Sequence, residues 1–244
     1  MNIIIYYINL KKRSDRNDIL LKELEYLKEL EFIKDINIQR IDAVDKDDLD
    51  KEKLIKDKYI NDKTTLRMGQ IACILSHKKT WKEFMKSKYD YCIILEDDVK
   101  INKEYFKESF YKILNDLNNI EFDWLYLGRN NLCIPNFYRG KKIRDNFYLP
   151  ISTGYGAHSY ILSKQGANKK IKYYEYIKGN TILTNHPLDL MYENIHLMNH
   201  YMNIKFKCLS ILPFGGLDKY KDKKYSESQE FMFHQRNITD TDTS

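Results

Sequence analysis

Tyr91-Cys92-Ile93-Ile94-Leu95-Glu96-Asp97-Asp98-Val99 is the stretch whose reading decides the fold. A mostly apolar run enters three consecutive carboxylates. A short apolar run bounded by polar segments predicts a strand buried on both faces. Ligands of open α/β sheets gather at the carboxyl ends of the strands, so this strand delivers its acids where a ligand sits. Adjacent carboxylates repel unless a cation relieves them, and oxygen donors of this kind suit Mg²⁺ or Mn²⁺. Along extended backbone, residues i and i+2 point the same way. Glu96 and Asp98 are therefore the expected metal pair, with Asp97 facing elsewhere. From these nine residues alone a solvated acidic turn is equally open, because acidic runs are common.

The 244 residues are 43% hydrophobic and 31% charged, a composition that supports a folded core. The expectation is a single domain over residues 1–236 and a disordered tail over 237–244. The formal net charge of +6 comes without a dense Lys/Arg block. That favours an anionic small molecule over nucleic acid as partner. Cys73, Cys92, Cys133 and Cys208 make no CxxC pair. Neither a zinc ribbon nor a thioredoxin-type site is suggested, and a reducing compartment is the simplest inference. No run approaches the ~20 apolar residues of a membrane span. Residues 1–8 carry no basic n-region and no cleavage site. The expected location is cytoplasmic. The bias toward Lys, Asn, Ile and Tyr is that of an AT-rich genome, bacterial or of a large DNA virus.

Working outward, residues 2–8 predict a first strand, followed by a polar turn. Asn9, Arg13 and Arg16 lie at its carboxyl end, where arginines suit a diphosphate or simply solvate a helix start. Ser14 is the expected N-cap, and Leu20, Leu24 and Leu27 recur at helical spacing. A second strand over 36–41 ends in Asp42. A helix opening near 66–70 buries Ile71, Ile74, Leu75, Trp81, Phe84 and Met85. His77 flanks that stripe and reads as packed and hydrogen-bonded more than catalytic. A further helix over 103–118 and a strand over 122–127 follow, the strand closed by Gly128. Residues 130–147 read as a basic surface loop, with a lid as the alternative. Gly154 and Gly156 permit close backbone approach to a ligand. Ser163 caps a helix reaching Tyr176, and the alternating 204–208 predicts a late strand. Pro187 fits the first position of a helix. Asp189 in its first turn is either a dipole complement or a general base.

In this order the motifs resemble glycosyltransferase family 25. That family includes bacterial lipooligosaccharide galactosyltransferases and the catalytic domains of procollagen galactosyltransferases. The resemblance is carried by Ile8-Asn9-Leu10 with Arg13 and Arg16, by Arg40-Ile41-Asp42-Ala43, and by the run from Gly69 to His77. It continues through Leu95 to Val99, Trp124 to Arg129, Gly154 to Ala157 with Tyr160, Gln165-Gly166-Ala167 and Pro187-Leu188-Asp189. It implies an α/β fold of GT-A type, a mostly parallel nucleotide-sugar-binding sheet flanked by helices. It also implies UDP-galactose or UDP-glucose as donor and Mn²⁺ or Mg²⁺ on Glu96 and Asp98. Donor contacts are then expected from Asn9, Leu10, Arg13, Arg16, Asp42 and Asp97. Asp189 becomes the expected base, with His186 in reserve as base or extra metal ligand. Leu127-Gly128-Arg129 and Ser226-Glu227-Ser228 lean toward a collagen-like polypeptide, through hydroxylysine, as acceptor; a lipooligosaccharide glycan is the alternative. Neither nucleic acid nor a membrane span is expected, and a homodimer is left open. Two rivals remain. A non-catalytic sugar- or collagen-binding module has no need of three carboxylates, and a metal-dependent nuclease would show a basic aromatic groove.

Overall fold

A strand that is apolar on both faces requires a helical layer on each side. Strand β1 (Ile3–Asn9) is buried along its whole length. Ile3, Ile5 and Tyr7 enter one core, and Ile4, Tyr6 and Ile8 enter the other. The computed structural model describes residues 2–29, 36–128, 132–133, 141–144, 147–149, 156–176, 188, 198–200, 202–211, 225–226 and 232–235.

Helices α1 (Ser14–Glu29) and α4 (Lys103–Leu117) cover the first face. They bury Leu20, Leu24 and Leu27, and Phe106, Phe110, Ile113 and Leu117. After the short α2 (Lys51–Lys56), α3 (Met68–Lys86) covers the second face together with α5 (Lys164–Tyr176). These two bury Trp81, Phe84, Ala167 and Tyr173.

The central sheet has eight strands in the order β2-β1-β3-β9-β5-β10-β8-β7. Their ranges are β2 (Asn37–Asp42), β3 (Tyr91–Glu96), β5 (Trp124–Tyr126), β7 (Lys141–Arg144), β8 (Phe147–Leu149), β9 (Ser159–Ser163) and β10 (Cys208–Ile211). β1, β2 and β3 are parallel, as are β5 and β10, while β8 and β9 run against their neighbours. The sheet is therefore mixed but mostly of one direction, within the expected α/β class. Asn9 stands opposite Asp42 and Ile8 opposite Glu96, so three parallel strands end flush. Outside this sheet, β4 (Val99–Ile101) pairs with β12 (Phe233–Gln235), and β6 (Leu132–Cys133) with β11 (Tyr225–Ser226).

Local readings shift in four places. The late strand is 208–211 and is buried throughout, so it does not alternate; Ile204–Lys207 only lead into it. Part of the basic stretch is the β7–β8 hairpin at the sheet edge, not loop. The carbonyl of Arg13 accepts the first helical bond, from Asn17 N–H at 3.1 Å, which moves the cap of α1 back from Ser14. Met85 is exposed. Ser163 does cap α5, its Oγ accepting from Gly166 N–H at 3.0 Å. The described residues contain no helix long and apolar enough to cross a membrane.

The second core also buries a lysine. Lys170 Nζ lies 5.1–6.0 Å from the ring centroids of Tyr174, Tyr173, Trp81, Trp124 and Phe206. Burial pulls its ammonium from the usual 10.5 down to about 7. Between those two values the unfolded chain holds a proton that the folded chain has shed, so stability rises with pH across that window. Urea titrations at pH 7 and near pH 10 should show this rise. Lys170→Met should be more stable at pH 7 and show a flatter dependence; a variant with the slope of the parent would contradict the assignment.

Candidate active site

The alternation of β3 continues into its acids. Cys92 and Ile94 face the core under α3 and α5, and Ile93 and Leu95 face the core under α1 and α4. Glu96 and Asp97 follow the same rule, reaching α3 and α1 respectively.

On the α1 side, Asp97 Oδ1 lies 3.1 Å from Arg16 Nη1, and its Oδ2 accepts from Asn9 Nδ2 at 2.8 Å. The same amide nitrogen reaches the Arg13 carbonyl at 3.1 Å. Asp97 and Arg16 are only 8% and 9% exposed. A charge this deep persists only when it is paired and hydrogen-bonded. The trio ties the end of β3 to the end of β1 and to the first turn of α1. Asp98 comes next, in the turn toward β4, and is also buried.

On the α3 side, Glu96 Oε1 lies 3.0 Å from His77 Nε2 and 3.8 Å from Cys73 Sγ. His77 Nδ1 is 2.8 Å from the hydroxyl of Tyr160, which also accepts from Trp81 Nε1–H at 2.9 Å. Burial holds the Tyr160 phenol well above its usual range, so it stays protonated. Its ring stacks on Trp124 at 3.4 Å between centroids. Cys73, His77 and Trp81 are spaced four apart along α3 and so share a face.

Around this centre runs a rim of ion pairs. Arg40 and Lys11 approach the Asp42 carboxylate at 3.3 and 3.5 Å. Lys79 Nζ donates to the Asp42 carbonyl at 2.7 Å. Arg13 grips Asp15 through Nε and Nη2 at 2.9 and 2.8 Å, which holds that exposed carboxyl below its usual range. Leu10 sits in the turn, its carbonyl accepting from Arg13 N–H at 3.0 Å.

The structure thus gathers Asn9, Leu10, Arg13, Arg16, Asp42, Glu96, Asp97 and Asp98 at one end of the sheet. His186 and Asp189 lie outside the described residues. Cys73, His77 and Tyr160 were not assigned to the site from sequence. The four-residue spacing on α3 was visible, but its partner Tyr160 was not.

Two donor sets bear on a metal. The carboxylates of Glu96 and Asp98 are hard oxygen donors, and by donor type they suit Mg²⁺ or Mn²⁺. Asp97 already serves Arg16 and Asn9. The donor atoms of Cys73, His77 and Glu96 also fall within 4.8 Å of one another, a set that by type suits a softer ion such as Zn²⁺.

Comparisons with known proteins bear on the family and the fold. A family model described as Glycosyltransferase family 25 (LPS biosynthesis protein) matches residues 2–192. Procollagen galactosyltransferase 2 of Homo sapiens is 26% identical over 177 residues, covering 68% of this chain and 27% of that protein. A glycosyltransferase 25 family member of Aedes aegypti is 26% identical over 227 residues, covering 86% of this chain and 34% of that one. The chain therefore matches about a third or less of the length of these relatives. Among solved structures, a glycosyltransferase involved in the glycosylation of the major capsid of PBCV-1 superposes with a TM-score of 0.52 at 9% identity. That superposition covers 99% of this chain and 95% of the other and shows a likeness of fold.

The Asp97 clasp carries a stability prediction. Asp97→Ala removes the buried carboxylate that pairs with Arg16 and accepts from Asn9, and should cost about 3–5 kcal/mol. Lys86→Ala breaks the exposed pair with Glu83 on α3 and should cost less than ~1 kcal/mol. Denaturant midpoints of the two variants check this, and equal losses would refute the distinction.

Proposed function

The chain belongs to glycosyltransferase family 25, and from that premise we propose that it moves a hexose from a UDP-sugar to a hydroxyl acceptor, with Mn²⁺ or Mg²⁺ held by Glu96 and Asp98. The observation that supports this reading best is the meeting of hard carboxylate donors and basic side chains where three parallel strands end.

Hexosyl transfer breaks the bond between the sugar's anomeric carbon and a diphosphate oxygen, so negative charge grows on the leaving group. A bound divalent ion supplies Lewis-acid stabilisation of that charge. The chain's own residues do the rest. Lys11, Arg13 and Arg40 draw the anionic donor to the strand ends. Asn9 and Arg16 keep Asp97 turned inward, so the strand end holds its shape while Glu96 and Asp98 face the donor. The acceptor hydroxyl loses a proton as it attacks, and a carboxylate near the anomeric carbon takes it; Asp189 is assigned that role, with His186 in reserve.

The names of the relatives support galactose as the sugar and a procollagen-like acceptor, in which we propose hydroxylysine as the residue that receives it. The family model's description supports a lipopolysaccharide-type glycan as the second acceptor class. Labelled UDP-galactose and UDP-glucose, offered with a hydroxylysine peptide and with a lipooligosaccharide, separate these readings.

The double variant Glu96→Ala, Asp98→Ala should lose about 100-fold or more of its Mn²⁺-dependent UDP release. Circular dichroism should show an unchanged fold. Undiminished turnover in that variant, or full activity of the parent in EDTA, would remove the metal from the mechanism.

A further inference from the structure

Tyr160 is fully buried, and its hydroxyl must place one proton. Trp81 Nε1–H is a donor only, so at 2.9 Å it fills a lone pair of the phenol oxygen. Among the described residues the other hydrogen-bonding neighbour of this hydroxyl is His77 Nδ1, at 2.8 Å. The phenol proton therefore points at Nδ1, which must be the bare nitrogen of the ring. The imidazole proton then sits on Nε2 and is donated to Glu96 Oε1 at 3.0 Å.

We infer that Trp81 and Tyr160 fix His77 in its Nε2–H form, making His77 a neutral positioning residue that aims the Glu96 carboxylate. The inference about aim rests on the reading of Glu96 as a metal ligand; the tautomer stands apart from it. A neutral donor orients the carboxylate without cancelling its charge, as a lysine or arginine in the same place would. The arrangement also decides between the two donor sets. An ion on His77 Nε2 would require the ring proton on Nδ1 and would deprive the Tyr160 hydroxyl of its acceptor. Cys73, His77 and Glu96 are therefore a hydrogen-bonded cluster and not an ion site. The chain of contacts crosses the second core from α3 to β9 and ends at the mouth of the site, so the aromatic layer beneath the sheet reaches Glu96 through three hydrogen bonds.

The test uses the full chain with ¹⁵N-labelled histidine at pH 7. The signal absent from His77→Gln is that of His77, and its two-bond ¹H–¹⁵N pattern should be that of the Nε2–H tautomer. Tyr160→Phe, which keeps the ring and removes the proton donor to Nδ1, should shift that pattern toward a mixture. Mn²⁺ affinity, read from the free-ion EPR signal and not from turnover, should weaken about 10- to 100-fold in His77→Phe. His77→Gln, which keeps an N–H donor, should recover most of that loss. A wild-type ring carrying its proton on Nδ1, or on both nitrogens, would overturn the inference, as would unaltered Mn²⁺ affinity in a folded His77→Phe. If His77→Phe fails to fold, the wild-type spectrum and the Gln variant decide. Wild-type protein that binds no Mn²⁺ while showing the Nε2–H pattern would sink the proposed metal chemistry and leave the tautomer standing.

Discussion

Asp97 shares its carboxylate between Arg16 and Asn9 in a nearly dry place, and the end of the sheet is built around that arrangement. A buried carboxylate without partners is costly enough to reorganise its surroundings. Here the partners come from the last residue of β1 and the first turn of α1, so satisfying one charge aligns two strands and a helix. The flush ending of β1 and β3 follows, and β2 ends beside them with Asp42 opposite Asn9.

The three acids do three different things because the strand period is two. Asp97 goes to the α1 side and is used up internally. Glu96 goes to the α3 side and meets a histidine backed by tyrosine and tryptophan. Asp98 lies beyond the strand, in the turn. The sheet therefore carries a polar anchor on each face at the same end, one ionic and one uncharged apart from Glu96 itself. Both anchors sit above apolar cores rich in aromatic rings, which keep water from competing for these hydrogen bonds.

Much of this was legible from residue patterns. β1 and β3 announce themselves as apolar runs, and Leu20, Leu24 and Leu27 as a helical stripe, because burial and period are local properties. The α/β class and the clustering of acids at a strand end follow from the same patterns. What was not legible depends on pairing across the chain. β10 looked like an alternating strand some residues early, since Lys205 and Lys207 mimic a half-exposed edge. The β7–β8 hairpin looked like loop because its charges suit either. Arg16 reads as a diphosphate contact or a solvated helix start; that it also pairs with Asp97, 81 positions away, is announced by nothing in the helix start. His77 read as packed and hydrogen-bonded, but Tyr160, which sets its tautomer, is 83 positions away on another strand.

The most direct test of this account is a crystal structure with Mn²⁺ and UDP bound. The account predicts the ion on the carboxylates of Glu96 and Asp98, in contact with the diphosphate, while Asp97 keeps both Arg16 and Asn9. An ion coordinated by Asp97 with the Arg16 pair broken, or seated between Cys73 and His77, would contradict it.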